Sequence, residues 1–193
     1  NPQEKLKCIS IVGTNGKYST IQAIRSILKE ANINVNIYSS PHIQKINERF
    51  VYNDEEISDE NLAKLLIEVE EINNGEPITY FEILTAAYFY YAKNSDNINL
   101  IESGLFHRFD ATNIIKENLA SIVTAIGFDH LDWLPENEQT IEKIVFEKTS
   151  SLLNSKIIIS NQSSIEIINI IKSNISYNRS KKIIYNEDFS CSE

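Results

Sequence analysis

The sequence contains no methionine and only two cysteines among its 193 residues. Because the chain begins at Asn1 and has no methionine, we expect it to be a processed piece or a part of something longer. Cys8 and Cys191 lie near opposite ends, and their spacing matches neither a metal site nor a disulfide framework. A reducing, cytoplasmic compartment is the setting that this cysteine usage predicts.

Long apolar runs and an excess of basic residues are also missing. No apolar run approaches the ~18 residues that a membrane helix needs, and no basic-then-apolar leader opens the chain. We therefore expect neither export nor membrane insertion. The chain carries 27 acidic and 18 basic residues, a formal net charge of −9. This balance disfavours nucleic acid and anionic membranes as partners, because both attract clustered Lys and Arg.

The residues that are present predict one globular domain of the α/β class. Hydrophobic residues make up 42% of the chain and charged residues 23%, which is enough to bury a sizeable core. Short β-rich runs alternate with helical patterns, which is typical of a mostly parallel sheet flanked by helices. The predicted strands cover 8–13, 35–38, 98–102, 120–126, 156–160 and 182–185. The predicted helices cover 19–31, 59–72, 80–93, 140–153 and 165–172, and a hairpin is predicted to turn at Asn53 and Asp54.

The segment VGTNGKYST, residues 12–20, joins the first predicted strand to the first predicted helix. Backbone N–H groups of a glycine-rich loop and of a helix N-terminus converge on one spot, which suits a phosphate chain. Gly13 and Gly16 would allow close backbone approach, and Lys17 would add a positive charge. The segment departs from the general pattern G-x-x-x-x-G-K-[ST], because Ile11 replaces the first glycine and Tyr18 follows the lysine. Taken alone, such a glycine–lysine pair is more often an ordinary strand-to-helix turn.

Seven motifs in the expected order resemble the folylpolyglutamate synthase and dihydrofolate synthase family of the Mur-ligase superfamily. They are VGTNGKYST, YSSPHIQKINER, EISDENL, ITYFEILTAAYFYYA, IESGLFHRFDATNII, AIGFDHLDWL and FEKTSSLL together with the approach NPQEKLK, and they cover about residues 1–162. The resemblance implies a P-loop-containing sheet of the Mur-ligase central ATP-binding type. Residues 1–193 would be an incomplete ATP-binding domain, with the C-terminal glutamate-ligase domain absent.

The resemblance also implies an activity and its cofactors. Members of this family use ATP and Mg²⁺ to phosphorylate a folate or dihydropteroate carboxylate, and the amine of L-glutamate then attacks the acyl phosphate. By this resemblance the ATP phosphates would be bound by one continuous loop, consisting of Gly13, Thr14, Asn15, Gly16, Lys17, Tyr18, Ser19 and Thr20. The magnesium positions would be Ser40, Glu102 and His130. Catalytic roles would belong to Lys17, His130 and Lys148, and the folate or pterin would contact Arg49, Thr79, Phe81 and Asp110.

Local patterns alone give these positions different weights. Glu102 ends an apolar strand at the carboxyl edge of a parallel sheet, where α/β proteins bind ligands, so a functional role is favoured. Ser40 precedes Pro41 and is by itself more typical of a turn. Lys148 matches a lysine that is carbamylated in relatives, but without the resemblance it would be a solvated helix charge. Phe81 fits a helix core nearly as well as a pterin pocket.

Some residues depart from the family pattern inside its motifs. Tyr18 replaces a glycine, and its ring would crowd phosphate or metal. Phe106 and His107 stand where the family has two glycines, while Thr149 and Ser150 place polar groups beside Lys148. Three hypotheses remain open: a synthase completed by other parts or by a partner polypeptide, a degenerate remnant that at most binds Mg-ATP, and a partner-binding module that reuses the fold.

Overall fold

The computed structural model describes residues 1–152, 156–177 and 179–191. In these ranges the chain forms eight β-strands and five α-helices. The strands are Lys7–Val12 (β1), Val35–Tyr38 (β2), Phe50–Tyr52 (β3), Glu55–Glu56 (β4), Ile98–Glu102 (β5), Ala120–Val123 (β6), Lys156–Ile159 (β7) and Lys182–Ile184 (β8). The helices are Lys17–Glu30 (α1), Asp59–Asn73 (α2), Tyr80–Ala92 (α3), Ile141–Thr149 (α4) and Ile165–Asn174 (α5).

All eight strands belong to one sheet, in the order β4-β3-β2-β5-β1-β6-β7-β8. The neighbouring pairs β2–β5, β5–β1, β1–β6, β6–β7 and β7–β8 are parallel. Among the described strands, only the β2–β3 and β3–β4 pairs are antiparallel. After β1 the chain runs to β2 and β5 on one side, and then crosses to β6 on the other. The strand order therefore changes direction at β1, which is where open α/β sheets bind ligands beyond their carboxyl ends. The predicted α/β class is confirmed.

The core lies on both faces of the sheet. Ile37 and Leu100 pack with Ile21 of α1, whereas their neighbours Tyr38 and Ile101 belong to the cluster that contains α2 and α3. Because successive side chains of a strand point to opposite faces, α1 covers one face and the α2–α3 pair covers the other. A further apolar cluster joins α4 and α5 to β6, β7 and β8. Burial on both faces explains why most side chains of the central strands are apolar. Each of these strands also buries one polar side chain: Ser10 in β1, Asn36 in β2, Asn99 in β5 and Ser121 in β6.

Local signals set most of the element boundaries. The hydroxyl of Ser58 accepts a hydrogen bond from the Asn61 amide at 3.3 Å, and Thr79 caps α3 in the same way through the Glu82 amide at 3.2 Å. Asn53 and Asp54 both have positive φ, as the predicted hairpin turn requires. In the ranges that the structure covers, no helix is both long enough and apolar enough to cross a bilayer.

Most predicted bounds agree with the observed ones to within two residues, and the two larger differences are at the ends of β6 and α4. Strand β6 ends at Val123 rather than just before Gly127, because the carbonyl of Ala125 accepts hydrogen bonds from the loop after β1 instead of continuing a strand ladder. Helix α4 ends at Thr149. Its predicted end, Leu153, lies outside the described residues.

Candidate functional site

The loop between β1 and α1 is anchored on the segment that follows β6. The amides of Thr14 and Asn15 donate to the Ala125 carbonyl at 3.0 and 3.1 Å. The Thr14 hydroxyl donates to the Gly127 carbonyl and accepts from the Gly127 amide, both at 3.2 Å. These bonds attach the loop to the segment that leads to His130.

Gly13 and Gly16 serve this loop for different reasons. Gly13 has φ +151°, and a Cβ atom there would lie 2.1 Å from the Thr124 hydroxyl oxygen. Gly16 has φ +85° with open space around it, so its requirement is the left-handed backbone that begins α1. The close neighbour of Gly13 is therefore Thr124. The close approach of both glycines to a phosphate stays a prediction.

The side chain of Lys17 folds back over the loop between β1 and α1. Its ammonium donates to the carbonyls of Gly13 and Thr14 at 3.2 and 3.3 Å, and its Nζ lies 3.9 Å from the Oε1 atom of Glu102. Its side chain is only 15% exposed. Among the other first-turn residues, Tyr18 and Ser19 are exposed and Thr20 is half-buried. The helix N-terminus, its free amides and a lysine thus meet at one edge of the sheet.

Glu102 is a buried carboxylate at the end of β5. Its Oε2 atom accepts a hydrogen bond from the Ser40 amide at 3.1 Å, which brings two of the predicted metal positions together. Burial raises the pKa of Glu102, while the Ser40 amide, Lys17 and Arg49 oppose this shift. A cation arriving beside this carboxylate would favour its ionised form.

His130 lies in a different local environment. Its Nε2 atom is 3.0 Å from the Oδ2 atom of Asp129, and its backbone adopts φ 53°. The imidazole is edge-on to the ring of Phe106, with 6.3 Å between ring centroids. The contacts of His130 are thus with Asp129 and Phe106, whereas Glu102 contacts Ser40 and Lys17.

The predicted metal positions offer a hydroxyl, a carboxylate and an imidazole. Across the described ranges, no three or more His, Cys, Asp or Glu side chains form a group that could hold a metal. Magnesium usually binds to one or two carboxylates and keeps its remaining ligands from water and substrate phosphates. The donor set built on Glu102 fits an ion of that kind, and it does not fit an all-protein cage.

Lys148 is buried, in contrast to the solvated helix charge that its local sequence alone would predict. Its side chain is 1% exposed. Its ammonium donates to the carbonyls of Leu105 and Gly13 at 2.7 and 3.4 Å, and lies 5.3 Å from the centroid of the Phe106 ring. Burial, with a contribution from Lys17, lowers the pKa of Lys148 to about 8.

The predicted folate positions lie around the start of α3 and the segment after β5. Arg49 is buried, donates from Nε to the Nδ1 atom of His42 at 2.9 Å, and lies 5.8 Å from the Tyr80 ring. Thr79 is the N-cap of α3, and its hydroxyl is bonded to Glu82. Arg49 therefore lies close to the N-terminus of α3, which Thr79 caps.

Phe81 and Asp110 meet at Gly104. The carboxylate of Asp110 accepts hydrogen bonds from the Gly104 amide at 3.0 Å and from the amide and hydroxyl of Thr112. Burial raises the pKa of Asp110 against the opposing effect of these bonds. A Cβ atom on Gly104 would lie 2.5 Å from Asp110 and 3.3 Å from Phe81. Asp110 therefore has a structural role here, whatever further role a ligand gives it.

Several residues that shape the site were not predicted from the sequence. Thr124 lies against Gly13, and its amide donates to the Val12 carbonyl at 2.8 Å. Ser103 and His107 are both buried and hydrogen-bonded at 2.8 Å between Oγ and Nδ1. The available signals were a polar β-branched residue at the end of an apolar strand and a serine directly after Glu102.

Two surface clefts lie elsewhere. One, of about 320 Å³, lies between the N-termini of α4 and α5 and reaches Gly127. The other, of about 350 Å³, lies between α2 and α3. Neither of these two clefts is lined by Lys17, Glu102 or Lys148.

Comparison with known proteins gives relatives named as folylpolyglutamate synthases, either alone or with a second synthase activity. The chain is 38% identical over 157 residues to the dihydrofolate synthase/folylpolyglutamate synthase of Bacillus subtilis. This alignment covers 77% of this chain and 35% of that protein. The protein of the same name from Haemophilus influenzae is 37% identical over 141 residues, covering 72% and 31%, respectively. That of Escherichia coli is 35% identical over 133 residues, covering 68% and 31%. No family model matches the chain.

Solved structures with the same fold cover the whole chain. E. coli FolC in complex with DHPP and ADP superimposes with a TM-score of 0.87 at 27% identity, covering 100% of this chain and 45% of that one. An FPGS–AMPPCP complex gives a TM-score of 0.86 at 27% identity, covering 100% and 49%. The chain thus spans about a third of the length of the curated relatives it matches and about half of these solved chains.

Proposed function

Because this chain belongs, over the part that it spans, to the folylpolyglutamate synthase/dihydrofolate synthase family, we propose that it forms the nucleotide-binding core of an ATP-dependent ligase. The whole enzyme would add L-glutamate to folate or dihydropteroate. The γ-phosphate of ATP would pass to a substrate carboxylate, leaving ADP and an acyl phosphate. The amine of glutamate would then displace phosphate and form the amide bond.

The observation that carries this proposal is the position of Lys17. Its ammonium lies over the loop carbonyls and 3.9 Å from the buried carboxylate of Glu102. A phosphate oxygen at the N-terminus of α1 would replace the Gly13 and Thr14 carbonyls as acceptors of Lys17. Phosphoryl transfer depends mainly on positioning and charge neutralisation, and this edge of the sheet supplies both.

Glu102, Ser40 and His130 would hold a magnesium ion beside the phosphates. When bound, such an ion would supply positive charge against the charge that develops on the phosphates. The Ser40 amide holds the Glu102 carboxylate at 3.1 Å, and Asp129 holds the imidazole of His130. A solved relative is described as a complex with AMPPNP and a Mn ion, which supports a divalent cation for this family.

The folate or dihydropteroate would lie on the neighbouring part of the edge, beside Arg49, Thr79, Phe81 and Asp110. The buried guanidinium of Arg49 could pair with a substrate carboxylate, and the Phe81 ring could pack against a planar pterin. A solved relative is described as an FPGS–AMPPCP–folate complex, which supports this substrate class. Glutamate would be bound by residues outside these 193, in the same or a partner polypeptide. Accordingly, we expect no folyl-glutamate from the isolated chain supplied with labelled glutamate.

Equilibrium dialysis with Mg-ATP tests the nucleotide-binding proposal. Lys17→Met should weaken binding at least about tenfold, because charged hydrogen bonds contribute roughly 1.5–3 kcal/mol. Lys29→Met is a matched control, since Lys29 is an exposed lysine in the last turn of the same helix. Equal affinity in the wild type and Lys17→Met would contradict the proposal.

A further inference from the structure

Arg49 is a buried guanidinium without a carboxylate partner among the described residues, and His42 fixes which of its edges is free. We propose that His42 is a positioning residue for the acceptor substrate, which turns the Nη edge of Arg49 towards a carboxylate of folate or dihydropteroate. This inference rests on the proposed function, because it names how the substrate of that same site is held. The contact between the two side chains can be measured separately.

The guanidinium of Arg49 differs in its pairing from those of Arg25 and Arg108. Arg25 binds the Asp54 carboxylate at 2.9 Å, and Arg108 binds the Glu147 carboxylate at 2.7 Å. Arg49 is only 8% exposed, yet it forms no ion pair in the ranges that the structure describes. A buried charge without a partner is destabilising, so a site that keeps one is suited to an anionic ligand.

The contact with His42 determines the hydrogen bonding of both side chains. The Nε atom of Arg49 donates to the Nδ1 atom of His42 at 2.9 Å. Because a guanidinium has donors and no acceptor, Nδ1 is the accepting nitrogen, and the neutral imidazole carries its proton on Nε2. The Nε donor of Arg49 is thus used, while its Nη atoms form no hydrogen bond within the described part of the chain. A carboxylate can therefore bind only end-on, to the fork of the two Nη groups.

The ring of Tyr80 holds the guanidinium from another side. The Cζ atom of Arg49 lies 5.8 Å from the centroid of this ring, a distance at which an aromatic face attracts a cation. Tyr80 is the first residue of α3 and stands between Thr79 and Phe81 in the sequence. Arg49 is therefore held beside two of the positions predicted to contact the substrate.

The loop that carries His42 is fixed by the side chain of Glu48. This carboxylate accepts hydrogen bonds from three successive amides, at 2.8, 2.9 and 2.9 Å, which are those of Ile43, Gln44 and Lys45. The three bonds lower the pKa of Glu48, so its carboxylate is ionised at neutral pH. Because the first of these amides directly follows His42, the imidazole is attached to a backbone that is already held in place.

The ends of this loop are tied to each other and to the sheet. The Ser39 amide donates to the Arg49 carbonyl at 3.2 Å, and the Ser40 amide donates to the Glu102 carboxylate at 3.1 Å. Arg49 also opposes the rise in the pKa of Glu102 that burial causes. A substrate carboxylate on Arg49 would therefore lie on the same side of the sheet edge as the proposed phosphate site, where it could accept the phosphoryl group.

NMR of the ¹⁵N-labelled chain, at a low temperature that slows proton exchange, tests the contact itself. An N–H···N hydrogen bond transmits a nitrogen–nitrogen coupling, so we expect a cross-peak between Nε of Arg49 and Nδ1 of His42. His42→Asn keeps an acceptor but replaces the nitrogen by oxygen, so this cross-peak should vanish. A wild-type chain without the cross-peak would overturn the proposal. The measurement needs neither nucleotide nor folate.

The role in binding is tested by dialysis with pteroic acid and its primary amide, which differ only at the carboxylate. We expect the wild type to bind the acid at least about tenfold more tightly than the amide. His42→Leu should weaken binding of the acid about tenfold and change that of the amide by less than about threefold. His42→Asn should keep the preference for the acid. Gln44→Ala, which removes an exposed side chain from the same loop, should bind both compounds as the wild type does.

The other outcomes separate this inference from the proposed function. Equal binding of acid and amide by the wild type would overturn the positioning role, and so would an equal loss of both compounds in His42→Leu. If Mg-ATP binds and pteroic acid does not, the proposed folate site is wrong and this inference fails with it, while the nucleotide site stands. If Lys17→Met leaves Mg-ATP binding unchanged, the nucleotide site is wrong, and the preference for the acid still supports the role of His42.

Discussion

Replacing Gly13 with alanine should strongly destabilise the fold, because Thr124 occupies the space that the new methyl group needs. The Cβ atom would lie 2.1 Å from the Thr124 hydroxyl oxygen and 3.2 Å from its Cβ and carbonyl carbon. Rotation of the hydroxyl would relieve only the first contact. Overpacking of this kind costs roughly 1–3 kcal/mol, and the backbone at φ +151° adds strain of about the same size. We therefore expect Gly13→Ala to lower the free energy of unfolding by about 3 kcal/mol or more.

Urea denaturation followed by circular dichroism measures this loss. Gly75→Ala is the matched control, since Gly75 also has positive φ, +74°, but has no neighbour within 4 Å of the Cβ position. It should cost only about 1 kcal/mol. Adding Thr124→Ala to Gly13→Ala should recover about 1 kcal/mol or more through coupling of the two sites. A loss at Gly13 no larger than at Gly75, or strict additivity with Thr124→Ala, would refute the steric explanation.

Three further changes test other parts of the site. Tyr18→Gly should tighten Mg-ATP binding a few-fold if the ring crowds the phosphates, and unchanged affinity in dialysis would remove the crowding explanation. Glu102→Gln should weaken the magnesium dependence of ATP binding without lowering the urea midpoint at neutral pH. Because the pKa of Glu102 is raised in the folded chain, its ionised form opposes folding at neutral pH. A lower urea midpoint in Glu102→Gln would contradict this explanation. Burial lowers the pKa of His107 to about 4, below its usual 6.5, so its contribution to stability should be lost as pH falls through this window. We expect a loss of about 2 kcal/mol between about pH 7.5 and pH 5 that is smaller in His107→Gln, and equal losses in both proteins would show that His107 is not responsible.

Features with a local cause were predictable from the sequence. The caps Ser58 and Thr79 begin their helices where polar side chains can accept first-turn amides, and Asn53 and Asp54 tolerate the positive φ of the hairpin turn. The position of Glu102 at the carboxyl edge follows from the apolar strand before it, although its predicted role stays a prediction. The caps and the turn residues act on partners that are close in the sequence, and the position of Glu102 is set by its own strand.

Features that depend on distant contacts were not predictable. Lys148 has the local sequence of a solvated helix charge, but it is buried and its ammonium donates to the carbonyls of Leu105 and Gly13, 43 and 135 residues away. Phe106 and His107 could be recognised only as departures from glycine. Their contacts with Lys148 and Ser103 depend on how the turn after β5 packs against β1 and α4. Thr124 is similar, because an alternating strand pattern does not show which residue will lie against a glycine.

The proposed nucleotide site requires that the amides at the start of α1 hold the phosphates. Backbone NMR of the ¹⁵N-labelled chain, titrated with Mg-ATP, tests it most directly. We expect the largest amide shifts on residues 13–20, with smaller shifts near Glu102 and Leu105. A folded chain whose amides in this loop do not respond, or whose shifts fall in the cleft between α2 and α3, would contradict it.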